Sequence, residues 1–302
     1  MPKLKELISV VLLTVLALLA FSLALSARVY GAEYEFTQFD IEGAYSTGIS
    51  RINNQGHLSG GFFVQGQPGI GEGFLLVGGK LTVLRYPKFS TDTGAAGLSS
   101  NDVIVGNFWD RAVTGKKGSF LYKKGKFSEI ILPIPVAEDS ELLVFDINTR
   151  GWIVGVTPDQ RSFVLVDGEL HFVEIPGAIG TQARAINDKG QVAGLYWGDD
   201  NVTHGFITRV GSEADFIAIN FPGALHTWVS GISAKGEVVG SYINDFSEPT
   251  GFHYANGTYE TIGFPGALFT FPGGINGAGV IVGGFTDADG FHSHGFVAKV
   301  KK

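Results

Sequence analysis

Short runs in which apolar and polar residues alternate recur along this chain from Tyr34 to Val300, and they come in fours. One set spans residues 172–210. Phe172–Ile175 alternates and ends at Pro176-Gly177-Ala178, and Ala183–Asn187 is a second run. Asp188-Lys189-Gly190 forms a turn, because Asp initiates it and Gly supplies a positive φ. Gln191–Tyr196 is a third run, Gly198-Asp199-Asp200-Asn201 a polar loop, and Gly205–Val210 a fourth run. Alternation with period two, punctuated by Gly, Pro, Asn and Asp, predicts short β-strands.

The same set returns along the chain. The segment Ala185–Tyr196 recurs in altered form five more times, and its second glycine falls at Gly60, Gly106, Gly155, Gly194, Gly240 and Gly283. The spacings are 46, 49, 39, 46 and 43 residues. A period of roughly 40–50 residues with four strands per unit is the signature of a propeller-type array. The pattern therefore predicts an all-β fold, a six-bladed β-propeller of four-stranded repeats averaging about 44 residues. Each fourth strand leads directly into the first strand of the next unit. Tyr34–Ile41 has no predecessor and Gly295–Val300 no successor. Pairing these two strands closes the ring and removes two open edges, so Phe36 and Phe39 should lie near Phe296 and Val300.

Smaller signals repeat in phase. A corner reads Phe221-Pro222-Gly223-Ala224, Phe264-Pro265-Gly266-Ala267 and, in the first unit, Ile41-Glu42-Gly43-Ala44. An Asn-x-x-Gly turn appears at Asn53–Gly56, Asn148–Gly151, Asn187–Gly190 and Asn276–Gly279, with Ser233–Gly236 as a serine variant. In the second unit Asp102 occupies the glycine position. The glycine repeated on the third run marks either close approach of neighbouring blades near the channel or a β-bulge.

Residues 1–32 carry Lys3 and Lys5, then an apolar run from Ile8 to Leu25, then the small residues Ser26, Ala27, Gly31 and Ala32. That is the order of a secretory signal peptide. At 18 residues the apolar run also reaches bilayer-spanning length, so a retained membrane anchor is the alternative. Cleavage fits either Ala24-x-Ser26 or Ala32. Residues 33–302 then form one propeller domain, with no membrane insertion after cleavage. Residues 1–32 hold three cations and one anion, so their removal takes the net charge from −7 to −9. An acidic exported chain is a poor partner for nucleic acid. With 44 glycines, 24 phenylalanines and no cysteine, stability must come from the core and from ring closure.

The last three units add His204-Gly205-Phe206, Thr250-Gly251-Phe252 and His294-Gly295-Phe296 after the glycine strand. Together these resemble the HAF repeat, named for its His-Ala-Phe-like signature, over most of Phe172–Val297. Upstream the same place reads Glu72-Gly73-Phe74, Gly118-Ser119-Phe120 and Arg161-Ser162-Phe163. The resemblance implies an exported bacterial β-repeat protein, secreted or held in the cell envelope. It implies no defined activity and no catalytic residues.

Candidate chemistry gathers in the loops between the third and fourth runs, at Trp109-Asp110, Trp197 to Asp199, Tyr242 to Asp245, and Asp287 to Asp289. Aromatic faces beside carboxylates can stack on sugars and bond their hydroxyls, which makes Trp109, Asp110, Trp197, Asp199, Tyr242 and Asp245 ligand candidates. The aromatic that recurs in register at Phe108, Tyr196, Tyr242 and Phe285 also has a plainer role, filling space between blades. Asp287-Ala288-Asp289-Gly290 opens like a calcium loop but lacks the closing Glu. A hairpin turn accounts for it, with calcium at Asp287 and Asp289 as the alternative. A nucleophile elbow, a His-Glu-x-x-His helix and a phosphate loop are all absent from the sequence. The chain thus reads as a non-catalytic binding or scaffold module for a glycan or an envelope protein. The alternative is a secreted hydrolase or lyase on the same frame, with calcium as its optional cofactor.

Overall fold

The computed structural model describes residues 28–30 (as backbone), 33–66, 70–86, 92–110, 115–134, 141–244 and 249–301. The apolar run Ile8–Leu25 and both expected cleavage positions lie outside them. Among the described residues no helix is long and apolar enough to cross a membrane.

Six antiparallel sheets form the blades, each winding outward from an inner strand. The first blade runs Ala44–Ile52, Leu58–Val64, Gly71–Val77 and Lys80–Leu84. The second runs Thr93–Leu98, Ile104–Trp109, Lys117–Lys123 and Lys126–Glu129. The third runs Leu143–Ile147, Ile153–Val156, Ser162–Val166 and Glu169–Phe172. The fourth runs Gly180–Ile186, Gln191–Trp197, Thr203–Arg209 and Ile217–Ile219. The fifth runs His226–Ile232, Val238–Ile243, Thr250–Ala255 and Thr258–Ile262, with Arg28–Tyr30 added parallel at its edge. The sixth takes Phe269–Ile275, Ile281–Thr286 and Ser293–Val300 from the C-terminus and Tyr34–Phe39 from the N-terminus.

Sequence units and blades are therefore out of phase by one strand. The first run of each unit is the outer strand of the preceding blade, and this offset is what closes the ring. Tyr34 pairs with Val300, Phe36 with Ala298 and Phe39 with Gly295. The Phe36 ring meets Phe296 edge-on at 5.8 Å, so the seam is sealed by core packing as well as by hydrogen bonds.

The repeated glycine is explained inside each blade. Every inner strand carries an extra residue beside the repeated glycine: Ser50, Ala96, Phe145, Arg184, Ser230 and Gly273 sit at register shifts, and the first blade adds a second shift at Tyr45. The bulge pushes a carbonyl toward the second strand, and a Cβ on Gly60, Gly106, Gly155, Gly194, Gly240 or Gly283 would meet that oxygen at 1.9–2.3 Å. Across the other ladder each glycine pairs with Phe74, Phe120, Phe163, Phe206, Phe252 or Phe296. These six phenylalanines are fully buried, each worth about 1.5–3 kcal/mol of transfer from water. Crowding between blades is thus replaced by a bulge and a ring within one blade.

The Asn turns hold neighbouring blades together. Asn53, Asn148, Asn187 and Asn276 each accept through Oδ1 from the backbone N–H groups two and four residues on. Each also donates through Nδ2 to the carbonyl at the matching place of the next blade: Ser99, Asn187, Ser233 and Asn53. The last of these crosses the closing seam. Corners are fixed by threonines, as Thr47, Thr93, Thr181, Thr227 and Thr270 accept from the N–H of Ile41, Tyr86, Ile175, Phe221 and Phe264. Asp102, standing where a glycine would, takes φ +58° and accepts from Asn53 Nδ2 at 2.9 Å.

Candidate functional site

Inner strands run from the corners toward the Asn turns, so the loops joining second and third strands share the corner face of the disc. This is the face on which the sequence places its candidates. Trp197 is 37% exposed, and its indole lies on the backbone of Gly180, where a Cβ would meet Cε3 at 2.9 Å. Asp199 is exposed beside it. Trp109 is half-buried, with the Lys117 ammonium 4.4 Å from its ring centre. Asp110 is buried, and its backbone carbonyl accepts from the N–H of Gly115. Asp245 lies outside the described residues.

Tyr242 is buried and stacked flat on Phe221 at 3.6 Å. Phe285 stacks on Phe264 at 3.6 Å and Phe108 on Tyr86 at 4.3 Å. At Phe108, Tyr242 and Phe285 the in-register aromatic is therefore half of a stacked pair whose other half is the corner aromatic, whereas Tyr196 stacks on His204. Tyr242 presents no ring to a ligand, and the plainer role holds for it.

The loop at 287–292 brings Asp287, Asp289 and His292 together, with ligand atoms within 4.8 Å of one another. Three ligands fall short of the six to eight oxygens that calcium takes. Asp289 is held below the usual carboxylate range first by the N–H of Phe291 and then by His292. His294 bonds Asp40 at 2.9 Å through Nδ1 and Asp287 at 3.2 Å through Nε2. His204 bonds Asn220 and Asp200 in the same manner. The His of the His-Gly-Phe slot thus ties the third strand to the end of the outer strand and the loop of its own blade. Among the described residues, no neighbouring blade takes part.

Two concavities matter on this face. A groove of about 890 Å³ runs between the third and fourth blades, lined among others by Asp159, Arg161, Glu174, Ile179, Gln182 and Trp197. Arg161 is set over the Phe172 ring at 3.3 Å and reaches Glu174 at 3.4 Å, while Ile179 is 69% exposed. The corner Pro176-Gly177 and Gly180 line it as well. The second concavity is the central channel, crossed by Arg51. Its guanidinium pairs with Asp146 at 3.2 Å and donates to the carbonyls of Ser50, Gly273, Phe145 and Arg184. Burial pushes the Asp146 carboxyl up, against the pull of Arg51 and of the Ile186 N–H. Arg51 and Asp146 went unnoticed in the sequence, where nothing in the repeat marks them.

Solved structures with the same architecture include a sialidase of Trypanosoma rangeli (10% identity, TM-score 0.51, covering 90% of this chain and 60% of that one). The SapL1 lectin in complex with alpha methyl fucoside is another (11% identity, TM-score 0.51, 85% and 93%). A third is the β-propeller domain of the Trilobed protease of Pyrococcus furiosus (9% identity, TM-score 0.50, 92% and 97%). This chain spans about three fifths of the sialidase's length. At these identities the likeness defines the class, a six-bladed β-propeller. No family model and no curated protein matches the chain.

Proposed function

We propose that this protein is an exported, non-catalytic binding module, and that its ligand is a glycan taken up in the groove between the third and fourth blades. The observation that carries this reading is Trp197, pinned face-down on Gly180 with more than a third of its surface exposed, at the edge of a groove that also offers Arg161, Glu174 and Gln182. A flat apolar face with a few placed polar groups, in a cleft of 300–1,000 Å³, is what a small-molecule site requires. Arg161 is fixed by its ring stack and its carboxylate, so little side-chain entropy is lost on binding. The lectin with the same frame binds a fucoside, and the similarity to HAF repeats supports export to the envelope. The hydrolase alternative calls for paired carboxylates; Asp159 and Glu174 both line the groove, and Glu174 is paired with Arg161.

A glycan array screened with the protein and with Trp197→Ala tests the reading. We expect retention of at least one glycan class and a loss of tenfold or more in the variant, about 1.4 kcal/mol, at unchanged melting temperature. Retention of no glycan, or equal affinity in the variant, would overturn it.

A further inference from the structure

The six bulge residues do more than bend their strands. Ser50, Ala96, Phe145, Arg184, Ser230 and Gly273 form a ring around the channel, each partly exposed into it. Arg51 closes this ring from below by donating to four of its carbonyls, at 2.7–3.2 Å. Above that floor is a vestibule of about 420 Å³, which opens on the corner face and is walled by Phe145, Trp228, Arg184, Ala96 and Ser230.

Charge in this vestibule does not balance. Two guanidiniums, Arg51 and Arg184, line it, while the carboxylate Asp146 lies outside its lining and is paired with Arg51. Among the described residues no carboxylate pairs with Arg184, and its Nε is buried without an acceptor. A buried charge ordinarily has a partner, because desolvation without one is costly. Burial and then the neighbouring Arg51 pull the Arg184 guanidinium down to about 10, which still leaves it cationic at neutral pH. The group is also held in place, since it stacks on the Phe145 ring at 4.3 Å, an arrangement that leaves the edge of the fork free.

We propose that this vestibule is a carboxylate-binding subsite, in which Arg184 receives the carboxylate of a small organic acid whose body rests on Trp228 and Phe145. The chemistry is that of a planar fork meeting a planar anion, which forms two parallel charge-assisted hydrogen bonds. Trp228 supplies an aromatic face, and the volume falls within the range of small-ligand sites. The subsite is distinct from the groove at Trp197, so either can fail without the other.

Isothermal titration of the full chain with sodium glucuronate, sodium benzoate and uncharged glucose tests the proposal and separates a sugar acid from an aromatic one. We expect one acid to bind with one-to-one stoichiometry at least tenfold more tightly than glucose. Arg184→Gln should lose at least tenfold of that affinity without a lower melting temperature, while Trp197→Ala retains it. Should Arg184→Gln fail to fold, Arg184→Lys, which keeps the charge but not the fork, must weaken binding as well. Acids that bind no better than glucose, or an affinity unchanged by substitution at Arg184, overturn the proposal.

Discussion

Adjacent glycines on one strand give the sharpest test of the blade geometry. Gly60 and Gly61 both lie on the second strand of the first blade, one facing the bulge and the other facing away. A Cβ on Gly60 would fall 2.1 Å from the carbonyl oxygen of Gly48 and 2.8–2.9 Å from two ring carbons of Phe74. Ordinary contact would need the oxygen to retreat by more than 1 Å. That oxygen is backbone, held by a bulge that also fixes Ser50 and Arg51 at the channel, and the ring is fully buried with no room to turn. Overpacking costs about 1–3 kcal/mol when side chains can yield, so Gly60→Ala should cost about 3 kcal/mol or more. For a chain of this size that corresponds to a fall in melting temperature of about 6 °C. A Cβ on Gly61 would find only the Glu72 oxygen, at 3.5 Å. Gly61→Ala should leave stability unchanged or raise it by about 0.4–1 kcal/mol, through the lost freedom of the unfolded chain. Thermal denaturation followed by circular dichroism measures both. If Gly60→Ala melts within 1 °C of the parent, or if the two variants shift alike, the bulge explanation of the repeat is wrong.

The remaining expectations concern the seam and one histidine. Asn276→Ser should keep local turn bonds, as Ser233 does with the N–H groups of Lys235 and Glu237, while losing the donor to Asn53 across the closing seam. The expected cost is about 1 kcal/mol, read as a lower urea midpoint at unchanged slope; an unchanged midpoint would mean that the latch does nothing. For His294, burial lowers the basicity, but the hydrogen bonds and charges of Asp40 and Asp287 more than reverse this, so its pKa lies above 6.5. The folded value exceeds the unfolded one, so the pairing stabilises fully below the unfolded pKa and fades as pH rises through the folded value. An NMR titration of the imidazole should show that raised midpoint, and Asp287→Asn should lower it; a midpoint at or below 6.5 in the parent would refute the assignment.

Much of the frame was legible in the chain. Alternating runs gave the strands, and the spacing of Gly60 through Gly283 gave six blades. The unpaired first and last runs gave the closure at Tyr34–Val300. These are local or periodic signals, set by side-chain alternation and by turns that few residues can make, so each repeat restates them. The Asn-x-x-Gly turns were visible as turns, yet their Nδ2 latches were not, because a donor's partner in the next blade lies 39 or 46 residues away, and 223 at the closing seam. The same holds for the stack of Tyr242 on Phe221 and for the exposure of Trp197, which stands one position beyond the in-register aromatic Tyr196. One meets a corner aromatic and is buried, while the other meets Gly180 and stays open. Arg51, Asp146 and Arg184 belong to three different blades and meet only because the ring brings its inner strands to one axis. Sequence by itself thus determined the period, the blade and the way the ends join. Tertiary structure alone decided which side chains share the channel and which aromatic faces solvent, because those distances are set by radial packing and no short-range pattern encodes them.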